Sequence, residues 1–247
     1  MSIIAVYNIK GGVGKTATSV NLAYLAAQQP GKTLLLDMDP QASASFYFRI
    51  RPSKKFGAEK LLRGGRHIEE NIKGTDYPGL DMLPADFSYR NIDLALGECK
   101  KSHTRLGKVL APLREEYGRI ILDCPPNLTL LSENVLFAAD YILVPVIPTT
   151  LSLLSLDQLF AFLDKIGLAQ EKMVLFFSMV EKRKKIHTEM MQSLRERSRV
   201  LRTAIPYSAD IERMGVYRQP VAAALPASAA AAAYKNLWQE VQNILAK

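Results

Sequence analysis

The segment YNIKGGVGKTATSVNLA, residues 7–23, combines small residues, two lysines and a hydroxyl in an order suited to phosphate chemistry. Gly14-Lys15-Thr16 fits the end of the pattern G-x-x-x-x-G-K-[ST], whereas Ile9 occupies the pattern's first glycine position and a second lysine, Lys10, follows it. A loop of small residues lets backbone N–H groups point into one space, and a helix starting behind it adds partial positive charge. Lys15 would then reach terminal phosphates as a point charge, and the Thr16 hydroxyl would be a magnesium ligand. The competing reading is a glycine turn that only joins a strand to a helix. The order strand, loop, G-K-T and helix favours the phosphate cradle.

Carboxylates follow at places where they could face that loop. LLLDMDPQ closes an apolar run with Asp37 and Asp39, and RIILDCPPNL closes another with Asp123. The elements that must position these groups are strands at 2–8, 32–39, 79–85, 118–126, 140–148, 172–180 and 201–206. Helical stretches lie between them, notably at 104–116, 151–166 and 186–199. Strands alternating with helices predict an α/β fold, a mostly parallel twisted sheet flanked by helices on both faces. Such a sheet binds its ligand beyond the carboxyl ends of the strands, where the glycine loop and the aspartates lie. The alanine-rich segment 221–234 is expected to open the last helix with its second half.

The 247 residues, 48% of them hydrophobic, suit one globular domain over 1–247. Apolar runs are too short to span a bilayer and the N-terminus lacks a signal layout, which predicts a cytoplasmic protein. Cys99 and Cys124 have no paired spacing, and His67, His103 and His187 form no ligand cluster. A formal charge of +8, from 32 basic and 24 acidic residues, makes polyanions plausible partners.

KGGVGKT resembles the deviant phosphate loop of the ParA/MinD family of ATPases, and the resemblance extends over nearly the whole chain. It implies a fold of the phosphate-loop type, with ATP and magnesium as cofactors and residues 10–17 (Lys10, Gly11, Gly12, Val13, Gly14, Lys15, Thr16 and Ala17) around the nucleotide. Lys10 matches the family lysine that crosses an ATP-bound homodimer to the nucleotide of the other subunit, so Ile9 is no defect. LLLDMDPQ is similar to the family's LLVDLDPQ, which makes Asp39 the residue that positions the attacking water and puts Asp37 close to the magnesium shell. RIILDCPPNL matches the family strand whose acid, here Asp123, holds magnesium. TAIPYSADIERMGVYRQPV follows a later landmark and makes Pro206 and Tyr207 the adenine contacts. The chain departs from the usual G-K-T-T-T at Ala17, which removes a hydroxyl that touches the α-phosphate in relatives.

Within that family the ATP dimer holds either DNA without sequence preference or membrane. Lys182, Arg183, Lys184 and Lys185 in one run, followed by Arg195, Arg197, Arg199, Arg202 and Arg213, are the DNA candidates, with a solvated helical face as the plain alternative. YKNLWQEVQNILAK places Leu237, Trp238, Val241, Ile244 and Leu245 on one side of a helix that carries only Lys235 and Lys247 as obvious cations. This favours core packing over a membrane contact. No helix-turn-helix precedes the first strand, so DNA contact is expected to be nonspecific and the protein nucleoid-associated. Slow turnover is expected to need a ParB-like or other adaptor that stimulates the ATPase. The expected task is to partition or position a plasmid, a chromosome or a protein cargo. The alternatives are a MinD-like membrane switch or a metabolic ATP-dependent enzyme.

Overall fold

The computed structural model describes residues 1–54 and 56–246, and in the helix Lys185–Arg197 it leaves the side chain of Arg197 undescribed. Lys247, one of the cations expected beside the C-terminal stripe, lies outside the described residues.

Strands β1 (Ser2–Val6), β2 (Lys32–Asp37), β3 (Lys73–Gly74), β4 (Leu80–Leu83), β5 (Tyr117–Asp123), β6 (Tyr141–Val146), β7 (Met173–Val180) and β8 (Val200–Pro206) join one sheet in the order β3-β4-β2-β5-β1-β6-β7-β8. Every pairing is parallel except the short antiparallel edge β3–β4. The central strands are apolar almost throughout because helices cover both of their faces. Alternate residues point to opposite sides: Ile3, Ala5, Leu34, Leu36, Ile120 and Leu122 enter one core, while Ile4, Val6, Leu35 and Ile121 enter the other.

Six helices carry the argument: α1 (Lys15–Ala27), α2 (Ser43–Tyr47), α3 (Leu130–Ala138), α4 (Thr150–Ile166), α5 (Lys185–Arg197) and α6 (Ala229–Leu245). Helix α6 starts in the second half of the alanine-rich segment, where the Ser228 hydroxyl accepts from the Ala231 N–H and caps it. Its stripe of Leu237, Trp238, Val241 and Ile244 is buried in the same core as α1, and Leu245 is half-buried there. The stripe is therefore core packing, as the scarcity of cations on its polar face suggested.

The structure differs from the sequence expectation at two helices. The stretch 104–116 forms only a short α-helix, Arg105–Leu110, followed by a 3-10 turn at Pro112–Arg114. Pro112 has no N–H to donate and its ring crowds the preceding turn, which stops the α-helix. Helix α3, LLSENVLFA, was not anticipated, because it is apolar around most of its circumference and shows no helical stripe. Thr129 and Ser132 form the capping box that starts it.

Candidate nucleotide site

The loop after β1 turns through two left-handed glycines, Gly12 at φ 71° and Gly14 at φ 89°. A side chain at Gly14 would be strained by that φ and would also crowd Ser178, since a Cβ there would lie 3.0 Å from Ser178 Oγ. Ser178 stands where β7 bulges away from β8 into Met179, itself left-handed at φ 54°. Val13 is fully buried and anchors the loop, while Gly11 and Gly12 are exposed. At the loop's entrance the Asn8 side chain accepts from the Lys10 N–H at 2.9 Å and donates to the Pro145 carbonyl of β6 at 2.8 Å.

The two lysines point in different directions. Lys15 is buried at the start of α1, and its Nζ donates to the Lys10 carbonyl at 3.0 Å. Burial pulls its pKa down, against the opposing pull of Asp123, Cys124 and Asp39. Lys10 sends its Nζ away from the loop to Ser152 Oγ on α4, at 2.9 Å.

The aspartates gather because β1, β5 and β2 are neighbours: Val6 is in register with Asp123, and Asp123 with Asp37. Asp123 is fully buried. Its Oδ1 accepts from Ser19 Oγ at 2.8 Å, and its Oδ2 has no hydrogen-bond partner among the described residues. Burial, followed by the charge of Asp37, pushes its pKa well up, while the hydroxyls of Ser19 and Thr16 pull the other way. Asp37 is raised by the same burial. Both of its oxygens are engaged: Oδ2 accepts from the Ser45 N–H and hydroxyl at 2.8 and 2.7 Å, and Oδ1 from the Asp39 N–H at 3.2 Å. Asp39 closes the next turn, its Oδ1 accepting from the Gln41 N–H at 2.9 Å. Cys124 is buried and its thiol is raised well above its ordinary value, so it is no nucleophile at neutral pH.

Asp123, with an uncompensated oxygen beside the Thr16 hydroxyl, suits a hard divalent cation. Among the described residues no group of three or more His, Cys, Asp or Glu forms a ready-made metal cage, so phosphate and water oxygens would have to complete such a shell. Ser19, Asn8, Ser178 and Ser152 were missed by the sequence reading. Ser19 alone had a signal, since it lies three residues past Thr16 on the same helix face.

The remaining candidates are more dispersed. Ala17 packs against the α1 side of the core, and its carbonyl accepts from the Asn21 side chain. Asn21 in turn accepts from the Ala222 N–H at 3.1 Å and pins the alanine-rich segment to α1. Pro206 ends β8 beside Val180, and Tyr207 is exposed there, its hydroxyl donating to Glu212. The basic residues do not form one patch. Lys182, Arg183, Lys184 and Lys185 are exposed at the carboxyl end of β7, on the phosphate-loop side, and Arg213 lies past β8 on that side. Helix α5 then runs back across the sheet for 13 residues, about 20 Å, and delivers Arg195, Arg199 and Arg202 to the opposite end. Arg195 stacks on Phe177, with 5.4 Å to the ring centroid, and donates to the Arg202 carbonyl. Nothing is described of the Arg197 side chain.

A glycine loop that ends the central strand of a parallel sheet, with its lysine buried and an acid free at the next strand end, is the design of the phosphate-loop nucleoside triphosphatases. Comparison with known proteins narrows the class. The profile of the AAA domain matches residues 1–175. A ParA family protein of Chlamydia trachomatis is 30% identical over 253 residues, covering 99% of both chains. The sporulation initiation inhibitor protein Soj of Bacillus subtilis is 31% identical over 252 residues and 97% of each. The chain belongs to the ParA/MinD family of ATPases. Its fold is also that of a cobyrinic acid a,c-diamide synthase from Mycobacterium smegmatis solved with a bound ATP analogue and magnesium (TM-score 0.81, 24% identity, 98% of this chain and 94% of that one). At that identity the likeness carries the fold alone.

Proposed function

We propose that the chain is a ParA-like ATPase that closes as a homodimer around ATP and magnesium, binds DNA nonspecifically, and is released when an adaptor stimulates hydrolysis. In this way it would partition or position a plasmid, a chromosome or a protein cargo at the nucleoid. The observation that carries the reading is the divergence of the two loop lysines: Lys15 is buried behind its own cradle, whereas the Lys10 ammonium lies outside it.

In this reading Lys15 and the loop N–H groups would hold the phosphates, and Thr16 with Asp123 would hold magnesium, which would supply neutralising charge to the phosphates. Asp39 orients the attacking water. Lys10 reaches the nucleotide of the other subunit, so that charge on the phosphates and closure of the dimer become one event. Pro206 and Tyr207 flank the adenine. The exposed Lys182, Arg183, Lys184, Lys185 and Arg213 give salt-sensitive contacts to DNA phosphates. A MinD-like membrane switch is disfavoured by the burial of the α6 stripe.

The test is Lys10→Ala with AMPPNP, an ATP analogue that is not hydrolysed. The variant should bind nucleotide and fail to dimerise by light scattering, while the wild type dimerises with AMPPNP and not with ADP. Gel shift and liposome flotation under the same conditions separate DNA from membrane. Flotation without a gel shift would overturn the DNA half of the proposal.

A further inference from the structure

The Lys10 ammonium is held by a neutral partner in an unusual place. It donates to Ser152 Oγ at 2.9 Å, and Ser152, only 1% exposed, lies in the first turn of α4 with its Oγ 3.0 Å from Thr149 Oγ1. The Ser152 oxygen accepts from Lys10, and a further hydrogen bond, in which either hydroxyl can be the donor, links it to Thr149. Thr149 occupies the extended position ahead of α4, at φ −132° and ψ 154°, where a hydroxyl ordinarily caps the first turn. It makes no such capping bond. A cap forgone for a link between two hydroxyls is a local conflict of the kind found at functional positions.

The site is a poor permanent home for a cation. The N-terminus of α4 carries partial positive charge, and among the described residues Lys10 takes part in no ion pair. A phosphate offers the ammonium a full negative charge and a shorter, stronger bond than a serine hydroxyl does. The hold therefore fixes the side chain without being able to keep it once phosphate comes within reach.

We infer that Ser152 is a positioning residue that parks Lys10 in its own subunit and yields it to the second subunit's nucleotide when the dimer closes. The inference rests on the trans role of Lys10 proposed above. The phosphate loop is coupled to this parking, because Lys15 Nζ rests on the Lys10 carbonyl at 3.0 Å. When Lys15 turns to phosphate it leaves that carbonyl, so nucleotide in a subunit's own loop loosens Lys10 from one side. The facing nucleotide then draws the ammonium from the other.

The experiment uses the full chain with magnesium and AMPPNP or ADP, following dimerisation by light scattering and ADP affinity by fluorescence. Ser152→Ala removes the parking acceptor and should dimerise at about tenfold lower AMPPNP concentration, with ADP affinity equal to or somewhat above that of the wild type. Ser152→Thr keeps the hydroxyl and should match the wild type. Ser152→Asp suits a helix N-terminus and so should fold. Its carboxylate should hold Lys10 in an ion pair, leaving ADP binding intact and raising the AMPPNP requirement at least about tenfold. If the Ala and Asp variants both dimerise like the wild type while Lys10→Ala does not dimerise, parking is refuted and the trans role stands. If Ser152→Ala dimerises less readily than wild type, Ser152 supports the closed state and the inference is also wrong. If Lys10→Ala dimerises normally, the trans role itself falls.

Discussion

Asp37 and Asp123 stand in register on adjacent parallel strands, both buried, yet only Asp37 has hydrogen-bond donors on both of its oxygens. The neighbours thus divide the labour. Asp37 ties β2 to α2 through Ser45, whose hydroxyl also accepts from the Ala85 N–H at the end of β4. Asp123 keeps an oxygen available and bears the repulsion of Asp37.

Asp123→Asn should therefore stabilise the nucleotide-free protein at neutral pH by roughly 1–3 kcal/mol, since it removes the cost of burying an ionisable carboxyl, to which burial contributes first and the charge of Asp37 second, without changing shape. Asp37→Ala should destabilise it by roughly 2–4 kcal/mol, because the Ser45 N–H and hydroxyl lose their acceptor. Thermal melts read both effects. The stabilised Asp123→Asn protein should at the same time lose the extra thermal shift that magnesium adds to AMPPNP. A variant that melts lower than wild type and keeps the magnesium shift would show that Asp123 is structural.

The parts legible in the sequence are those whose signal is local. Gly14, Lys15, Thr16 and Asp123 sit in short contiguous patterns at strand ends, so a strand assignment alone puts them on one side of the sheet. Ser152 could not be read that way, because it meets Lys10 across 142 positions and only the order β1-β6 with α4 behind β6 brings them together. The basic set divides between two ends of the sheet for a related reason. Lys182 and Arg199 look close in sequence, but α5 reverses direction across the sheet between them. Ala17 now has a packing account and no catalytic one: it lies against the core on the side where Asn21 draws the alanine-rich segment onto α1.

The turn that presents Lys182–Lys185 depends on a neutral histidine. His187 Nδ1 accepts from the Glu181 N–H at 3.1 Å, and burial, then Lys184, lowers its pKa below the ordinary 6.5. A histidine with a lowered folded-state pKa contributes stability that is fully present above about 6.5 and fades as pH falls, since the unfolded chain takes the proton first. His187→Ala should cost about 1 kcal/mol at pH 8, and the gap from wild type should narrow below pH 6.5. Melting temperatures of both proteins from pH 8 to 5.5 check this. A gap that widens on acidification would mean that the folded protein protonates His187 more readily than the unfolded chain does.

The split of the basic residues gives a directional expectation for DNA. Among the described residues Lys184 and Lys185 form ion pairs only with Glu181 and Glu189 of their own turn and helix, exposed contacts worth little to stability. Charge reversal of both to Glu should leave melting nearly unchanged and weaken DNA binding with AMPPNP by at least about tenfold, with a shallower salt dependence. Arg199→Glu, at the far end of the sheet, should bind like wild type. Equal losses from the two ends would require DNA to wrap the edge of the sheet, and an intact double reversal would move the contact elsewhere.

Asp39 is the acid with both exposure and freedom. Its Oδ1 accepts from the Gln41 N–H and its carbonyl from the Ala42 N–H, which fixes the turn, and its half-exposed side chain lies beyond the buried pair formed by Asp37 and Asp123. A water-orienting carboxylate contributes about 10²–10⁴-fold to turnover and little to ground-state nucleotide binding. Asp39→Ala should therefore still dimerise with ATP and stay on DNA, while phosphate release falls by at least about a hundredfold. Asp39→Asn preserves the turn through its amide oxygen and lacks the charge, so it should hydrolyse as slowly as Asp39→Ala. If Asp39→Asn turns over normally and Asp39→Ala does not, the residue matters as a turn former. If Asp39→Ala itself hydrolyses ATP at the normal rate, another group positions the water.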